Sequence, residues 1–194
     1  MTAAHTDLTP SEWVRRWAHL IPDRPGGARV LDVACGHGRH ARWLSRQGHH
    51  VTAIDRDAAA LATLADLAPR LRTLQADIEG EPWPLPGRHF DAVVVTHYLW
   101  RPNLPDILAC VGEGGLLIYE TFAHGNASVG RPSRPDFLLQ NGELLQVCAG
   151  WRVVAYEDGF LSGPDRYVQR IAAVRAAGSE NPDSPPRYPL HAAG

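Results

Sequence analysis

The residues whose spacing carries the most chemistry are Asp32, Ala34, Gly36 and Gly38, within Val30-Leu31-Asp32-Val33-Ala34-Cys35-Gly36-His37-Gly38-Arg39-His40. Val30, Leu31 and Val33 form the short apolar run of a strand covered on both faces. Gly36 and Gly38 carry no Cβ, so the backbone can turn sharply there and come close to a ligand. Arg39 to Gln47 then reads as a helix, with Ala41 and Leu44 inward and Gly48 as its stop. Strand, glycine turn and helix N-terminus together make a nucleotide-binding loop, and Gly36-x-Gly38-x-x-Ala41 also satisfies the dinucleotide pattern G-x-G-x-x-G/A. The acidic residue changes the chemistry. A pyrophosphate seated on the helix N-terminus would be repelled by Asp32 at the mouth of the site. A ligand with an ammonium group, a second positive charge and no phosphate would be attracted.

S-adenosylmethionine (SAM) has those properties, and further candidate ligands for it stand where successive strands end. Open α/β sheets bind ligands beyond the carboxyl ends of their strands. The first strand ends in Asp32, Ala34 and the loop of Cys35, Gly36, His37 and Gly38. The second ends at Asp55-Arg56, where a carboxylate can accept from both hydroxyls of a ribose, in SAM and NAD alike. The third ends at Asp77-Ile78, the fourth at Thr96-His97-Tyr98 and the fifth at Glu120. His97 and Tyr98, with Glu120 and His124 behind them, are the candidates for positioning an acceptor or moving a proton. Thr121 to Gln140 is expected to be a long substrate-side loop. In it Arg131 and Arg134 suit a carboxylate or oxyanion, and these two arginines with Tyr98 are the candidate acceptor contacts. His37, His40, His49 and His50 lack the neighbours of a tetrahedral metal set and read as solvated loop residues.

The elements that must position these groups alternate. Ser11–Leu20 is a first helix capped by Ser11, with Trp13, Val14, Trp17 and Leu20 near helical spacing, packed on the domain or closing over the cofactor. Strands follow at about 29–34, 51–54, 71–76, 90–96 and 116–120, with helices after the first, second and fourth. This predicts a parallel sheet with helices on both faces. Residues 151–156 and 167–174 are two β-like runs joined without a helix, hence an antiparallel pair. The expected architecture is a Rossmann-like seven-stranded sheet, five strands parallel and a C-terminal antiparallel hairpin, in a single domain over residues 1–177. Residues 178–194, with Pro182, Pro185, Pro186 and Pro189, read as a disordered tail.

Composition sets the remaining bounds. The chain has 194 residues, 44% hydrophobic and 21% charged, with a net charge of −2, which fits one globular domain. Nucleic acid is not expected as a partner, because its recognition needs a concentrated basic surface. No apolar run suggests a membrane span, and no signal-peptide core is present. Cys35, Cys110 and Cys148 are odd in number and far apart, which points to a reducing, cytoplasmic setting.

Taken with these elements, the loop resembles motif I of class I SAM-dependent methyltransferases, roughly D-x-(G/A)-x-G-x-G, matched by Asp32, Ala34, Gly36 and Gly38. The resemblance implies that Asp55 meets the ribose, that Asp77 accepts from the adenine amine and that the Ile78 amide meets the ring. From about Ala28 to Ala173 the chain is similar to small bacterial methyltransferases of the tellurite-resistance (TehB-like) group. The segments carrying that likeness are Phe137-Leu138-Leu139-Gln140-Asn141-Gly142-Glu143-Leu144-Leu145 and Gly150-Trp151-Arg152-Val153-Val154-Ala155-Tyr156-Glu157-Asp158. The implied activity is methyl transfer from SAM, leaving S-adenosylhomocysteine (SAH), to a small molecule such as a tellurite- or selenite-like oxyanion or a thiol. Gly125–Pro132 and His97–Pro102 depart from that group, and these are the surfaces that would choose the acceptor. Two other functions stay open at this point: an NAD(P)-dependent oxidoreductase and a non-catalytic SAM-binding regulator.

Overall fold

The computed structural model describes residues 9–178 and 185–191. Strands β1 (Arg29–Val33), β2 (His50–Asp55), β3 (Leu71–Gln75), β4 (Phe90–Thr96), β5 (Val111–Phe122), β6 (Arg152–Leu161) and β7 (Arg166–Val174) form one sheet in the order β3-β2-β1-β4-β5-β7-β6. The first five strands are parallel, and β7 runs antiparallel between β5 and β6. This is the expected seven-stranded sheet with its closing hairpin.

The period-2 alternation of the strands divides the core between two faces. Val30, Val94, Ile118 and Ala172 turn to the face covered by Trp13, Val14 and Trp17 of α1 (Glu12–Trp17), Ala41 and Leu44 of α2 (Arg39–Arg46) and Leu61 of α3 (Ala58–Ala62). Leu31, Val95, Tyr119 and Ile171 turn to the other, under Ile107 of α4 (Leu104–Ala109) and Leu144 of α5 (Glu143–Val147). Between β3 and β4 the chain forms no helix, and Trp83 and Leu85 from the proline-punctuated loop pack on this second face instead.

Boundaries differ from the sequence reading where glycine and burial were misjudged. The fifth strand, expected at 116–120, already begins at Val111, so Gly112, Gly114 and Gly115 lie within β5, and a bulge opposite Phe90–Ala92 lets this stretch pair. Gly115 makes that possible, since a Cβ there would lie 2.8 Å from the Gly112 carbonyl oxygen. The first helix is helical only to Trp17 and tightens to a 3₁₀ turn over Ala18–Leu20. Ser11 caps it as expected, accepting from the Trp13 N–H at 3.1 Å. No helix of the described residues is long and apolar enough to cross a membrane.

Candidate functional site

The strand order reverses between β1 and β4, and the two residues that leave those strands, Ala34 (φ 51°) and His97 (φ 53°), are the non-glycine residues with positive φ among those described. Such a conformation costs roughly 1–3 kcal/mol for a residue with a Cβ. Two of them side by side at the switch point mark where the chain holds its backbone for a ligand. Beyond Ala34, Gly36 takes φ 54° with open space where a Cβ would stand. Gly38 caps α2 at φ 68° and sits so close to Leu64 that a Cβ would lie 2.6 Å from its methyl carbons. Cys35 is buried behind the turn with its thiol pKa pushed well up by burial, an unreactive packing residue. His37 is exposed at the tip.

Asp32 does not stand at the mouth of the site. The alternation along β1 turns it toward α2, where it is buried, its Oδ2 accepting from the Ala41 N–H at 3.0 Å. Its Oδ1 has no hydrogen-bond partner among the described residues, and burial pushes its pKa up to about 7. It holds the first turn of α2 from behind and does not face the cleft. The charge that selects the ligand comes from elsewhere. A cleft of about 350 Å³ beside Ala34 is lined by Asp55, Asp57, Asp77 and Glu79, with Arg56 as its one cation and Ile78 and Tyr98 as apolar walls. Asp55 is fixed by the loop it serves, accepting from Gly36 N–H at 2.7 Å and from Asp57 N–H at 2.9 Å. Asp77 accepts from the Glu79 and Gly80 amides at 3.2 and 3.3 Å. Four carboxylates and one guanidinium repel a pyrophosphate and suit a ligand of hydroxyls, amines and positive charge. The residues present therefore fit SAM and disfavour NAD(P).

A larger cavity of about 720 Å³ opens at His97, lined by the start of α1, by Arg39, Arg131, Arg166 and Arg170, and by Glu12, Glu120 and Asp165 against these four cations. Glu120 and Arg170 are cross-strand partners and form a nearly buried ion pair at 3.2 Å. Ser11 Oγ donates to the other Glu120 oxygen at 2.9 Å, and Arg170 also pairs with Glu157. Arg39 and Arg131 have no hydrogen-bond or ion-pair partner among the described residues.

His97 itself stacks on Phe122, ring centroids 5.0 Å apart, and its N–H donates to the Glu120 carbonyl. Desolvation, with Arg39 and Arg166 adding to it against Glu120, holds the imidazole below its ordinary pKa although one edge stays exposed. His40 is buried, not solvated as its loop setting suggested. Its Nε2 faces the Ser11 N–H at 3.1 Å, and a backbone amide can only donate. The ring is therefore neutral, with Nδ1 carrying the proton toward Thr96 Oγ1 at 3.4 Å. Thr96 thus serves the scaffold rather than lining a cleft.

Not every expected residue reaches the site. Residues 121–140 are shaped by 3₁₀ turns at Asn126–Ser128 and Pro135–Phe137 and by a bridge from Ala123 to Leu139. This conformation leaves His124 exposed and lining none of these clefts, and it turns Arg134 outward onto Asp136 (2.9 Å) and the Phe137 ring. Arg131 is brought in. Sequence reasoning passed over Arg39, Arg166 and Arg170. Arg170 left a signal, because it alternates with Val168 and Ala172 on a face of β7 that should have been apolar.

The sheet order and the D-x-A-x-G-x-G loop at its switch point are those of the class I SAM-dependent methyltransferase fold, and the acidic cleft beside the loop suits that cofactor. Residues 30–113 match the methyltransferase domain family. The chain is 26% identical over 178 residues to the demethylmenaquinone methyltransferase of Renibacterium salmoninarum, covering 88% of this chain and 70% of that one. It is 30% identical over 139 residues to hemagglutinin 1 of Eikenella corrodens, covering 67% of this chain and 46% of that protein. Among solved structures, TehB from Haemophilus influenzae shares the fold with a TM-score of 0.65 at 22% identity, over 90% of this chain and 63% of TehB. The chain thus spans about half of the Eikenella protein, and its expected likeness to TehB holds at the level of fold.

Proposed function

We propose that this protein transfers the methyl group of SAM to a small acceptor that carries negative charge, an oxyanion or a thiol. The observation that carries this reading is a pair of unlike cavities at neighbouring residues, a carboxylate-lined cleft that reaches Tyr98 and an arginine-rich cavity that reaches His97. When bound, SAM supplies an electrophilic methyl on a positively charged sulfur. Asp55 accepts from the ribose hydroxyls, Asp77 and the Ile78 amide take the adenine, and Gly36 lets the backbone approach the amino-acid tail. Arg131 and Arg166 face the acceptor, and Glu120 fixes the cavity wall through Ser11 and Arg170. His97, kept neutral, takes the proton of an acceptor that must lose one. Holding acceptor, methyl carbon and sulfur in line is the remaining task, and it falls to the walls around His97. The demethylmenaquinone methyltransferase to which the chain is similar is named for a small organic molecule, which favours the same acceptor scale.

The test is calorimetric titration with SAH, with NADPH alongside. Saturable binding of SAH alone is expected, and binding of NADPH alone would overturn the reading. Asp55→Ala is expected to weaken SAH binding by roughly 1–3 kcal/mol through lost hydrogen bonds to a charged group. Equal affinity in that variant would remove the ribose role. Turnover on a thiol or oxyanion distinguishes an enzyme from a regulator that binds SAM without consuming it.

A further inference from the structure

The arginine-lined cavity is only one of two spaces that open in front of His97. A smaller cleft of about 270 Å³ adjoins it, and His97 and Phe122 line both. Its walls are Tyr98, Leu99, Phe137, Pro132 and the His97–Phe122 stack, with Thr121 beside them and Glu79 as its charged side chain. A cleft made so largely of rings is unusual beside so polar a cavity.

Each wall is held by a polar clamp of its own. Arg101 donates to the carbonyls on either side of Phe137, Asp136 at 2.8 Å and Leu138 at 2.9 Å. The same guanidinium is gripped by both oxygens of Glu143, at 2.7 and 2.8 Å. The Tyr98 hydroxyl accepts from Asn103 at 3.2 Å, and its carbonyl accepts from the Tyr119 hydroxyl at 2.8 Å. Pro132 is fixed by Asn126, a buried amide that donates to the Pro132 carbonyl at 3.0 Å while accepting from the Tyr167 N–H at 3.1 Å. These bonds fix the residues whose rings line the cleft, and aromatic faces favour a planar partner.

The preceding residue, Arg131, points into the arginine-lined cavity, and Arg166 across it bonds only to the Pro164 carbonyl among the described residues. The ring-lined cleft and the arginine-rich cavity therefore adjoin at His97 and Phe122. We propose that the cleft receives the ring of the methyl acceptor while Arg131 and Arg166 hold an anionic substituent of the same molecule. The acceptor class is then an aromatic acid bearing a thiol or hydroxyl, not a bare inorganic oxyanion. In the reaction the ring sulfur or oxygen forms its bond to the methyl carbon and the sulfonium carbon–sulfur bond breaks. Its electron pair stays on sulfur as SAH, and the acceptor proton passes to His97 or solvent. This rests on the methyltransferase reading above.

The protein is first titrated with SAH, and then, saturated with it, with mercaptobenzoate, with thiophenol (the ring without the acid) and with selenite (an anion without a ring). Mercaptobenzoate is expected to bind at least about tenfold more tightly than either control. Phe137→Ala and Arg131→Ala are each expected to cost about tenfold in that affinity while SAH binding is unchanged, and Phe137→Tyr to restore it. Selenite binding as tightly as mercaptobenzoate, or an Arg131→Ala protein with undiminished affinity, would overturn the proposal. Arg131 is exposed, so that variant remains a fair test even if Phe137→Ala does not fold. Failure of SAH to bind would show in the first titration and would bring down the methyltransferase reading itself.

Discussion

Asp32 and His40 flank the first turn of α2, and burial drives them in opposite directions. Asp32 is raised to about 7 and His40 is lowered to about 3, so both favour the neutral form in the folded protein. For Asp32 the folded value lies above the unfolded one. Its contribution to stability is complete below about pH 4 and is lost as the pH rises to about 7, a loss on the order of 4 kcal/mol at most. For His40 the folded value lies below the unfolded one. Its contribution is complete above about pH 6.5 and is lost as the pH falls toward 3. The two slopes oppose one another between about pH 4 and 6.5 and largely conceal each other. Asp32→Asn should therefore gain on the native protein as the pH rises from 4 to 7 and run parallel to it above. Urea midpoints measured across pH 4–8 read this directly, and a pH-independent difference would contradict it. The sequence named Asp32 as the discriminating residue but could not say which way it faced. That depended on the α2 turn packing over β1, and the acid charge of the cleft rests on Asp55, Asp57, Asp77 and Glu79 instead.

At the scale of elements, α1 is tied down through one residue. Ser11 accepts from Trp13 N–H, donates to Glu120 and presents its own N–H to His40, so a single serine joins α1 to α2 and to β5. Ser11→Ala should cost about 1 kcal/mol from the lost cap. It should also raise the acceptor KM more than the SAM KM, since Ser11 lines the arginine-lined cavity and not the acidic cleft. Thermal melting and steady-state kinetics read the two effects separately. The alternation of strands and helices was legible because apolar runs and caps are local. The length of β5 was not, since Gly112, Gly114 and Gly115 read as a loop until a partner strand supplies their hydrogen bonds. Nor was the shape of residues 121–140, whose order depends on Asn126 reaching Pro132 and Tyr167.

In the molecule as a whole, the last described segment meets the first described helix. Pro185–His191, which composition places in a disordered tail, lies against α1: Tyr188 packs on the core cluster of Trp13 and Trp17, and the Pro189 carbonyl is bonded to the His19 ring at 2.9 Å. Proline-rich composition reports a low tendency to form helix or strand, and does not report a groove waiting to be covered. Removing residues 185–194 should lower stability by about 1 kcal/mol, or roughly 2–4 °C in Tm for a chain of this size. Calorimetric melting of the truncated chain checks this, and an unchanged Tm would mean that the contact contributes nothing. The sequence by itself determined the sheet, its order of faces and the loop at its switch point, because hydrophobic period, glycine and capping residues act within a few positions of themselves. The tertiary structure alone decided which charges share a cavity. Arg39, Arg131, Arg166 and Arg170 come from one helix, one loop and one strand, and only the packing of β5 against β7 and of residues 121–140 over His97 brings them to one wall.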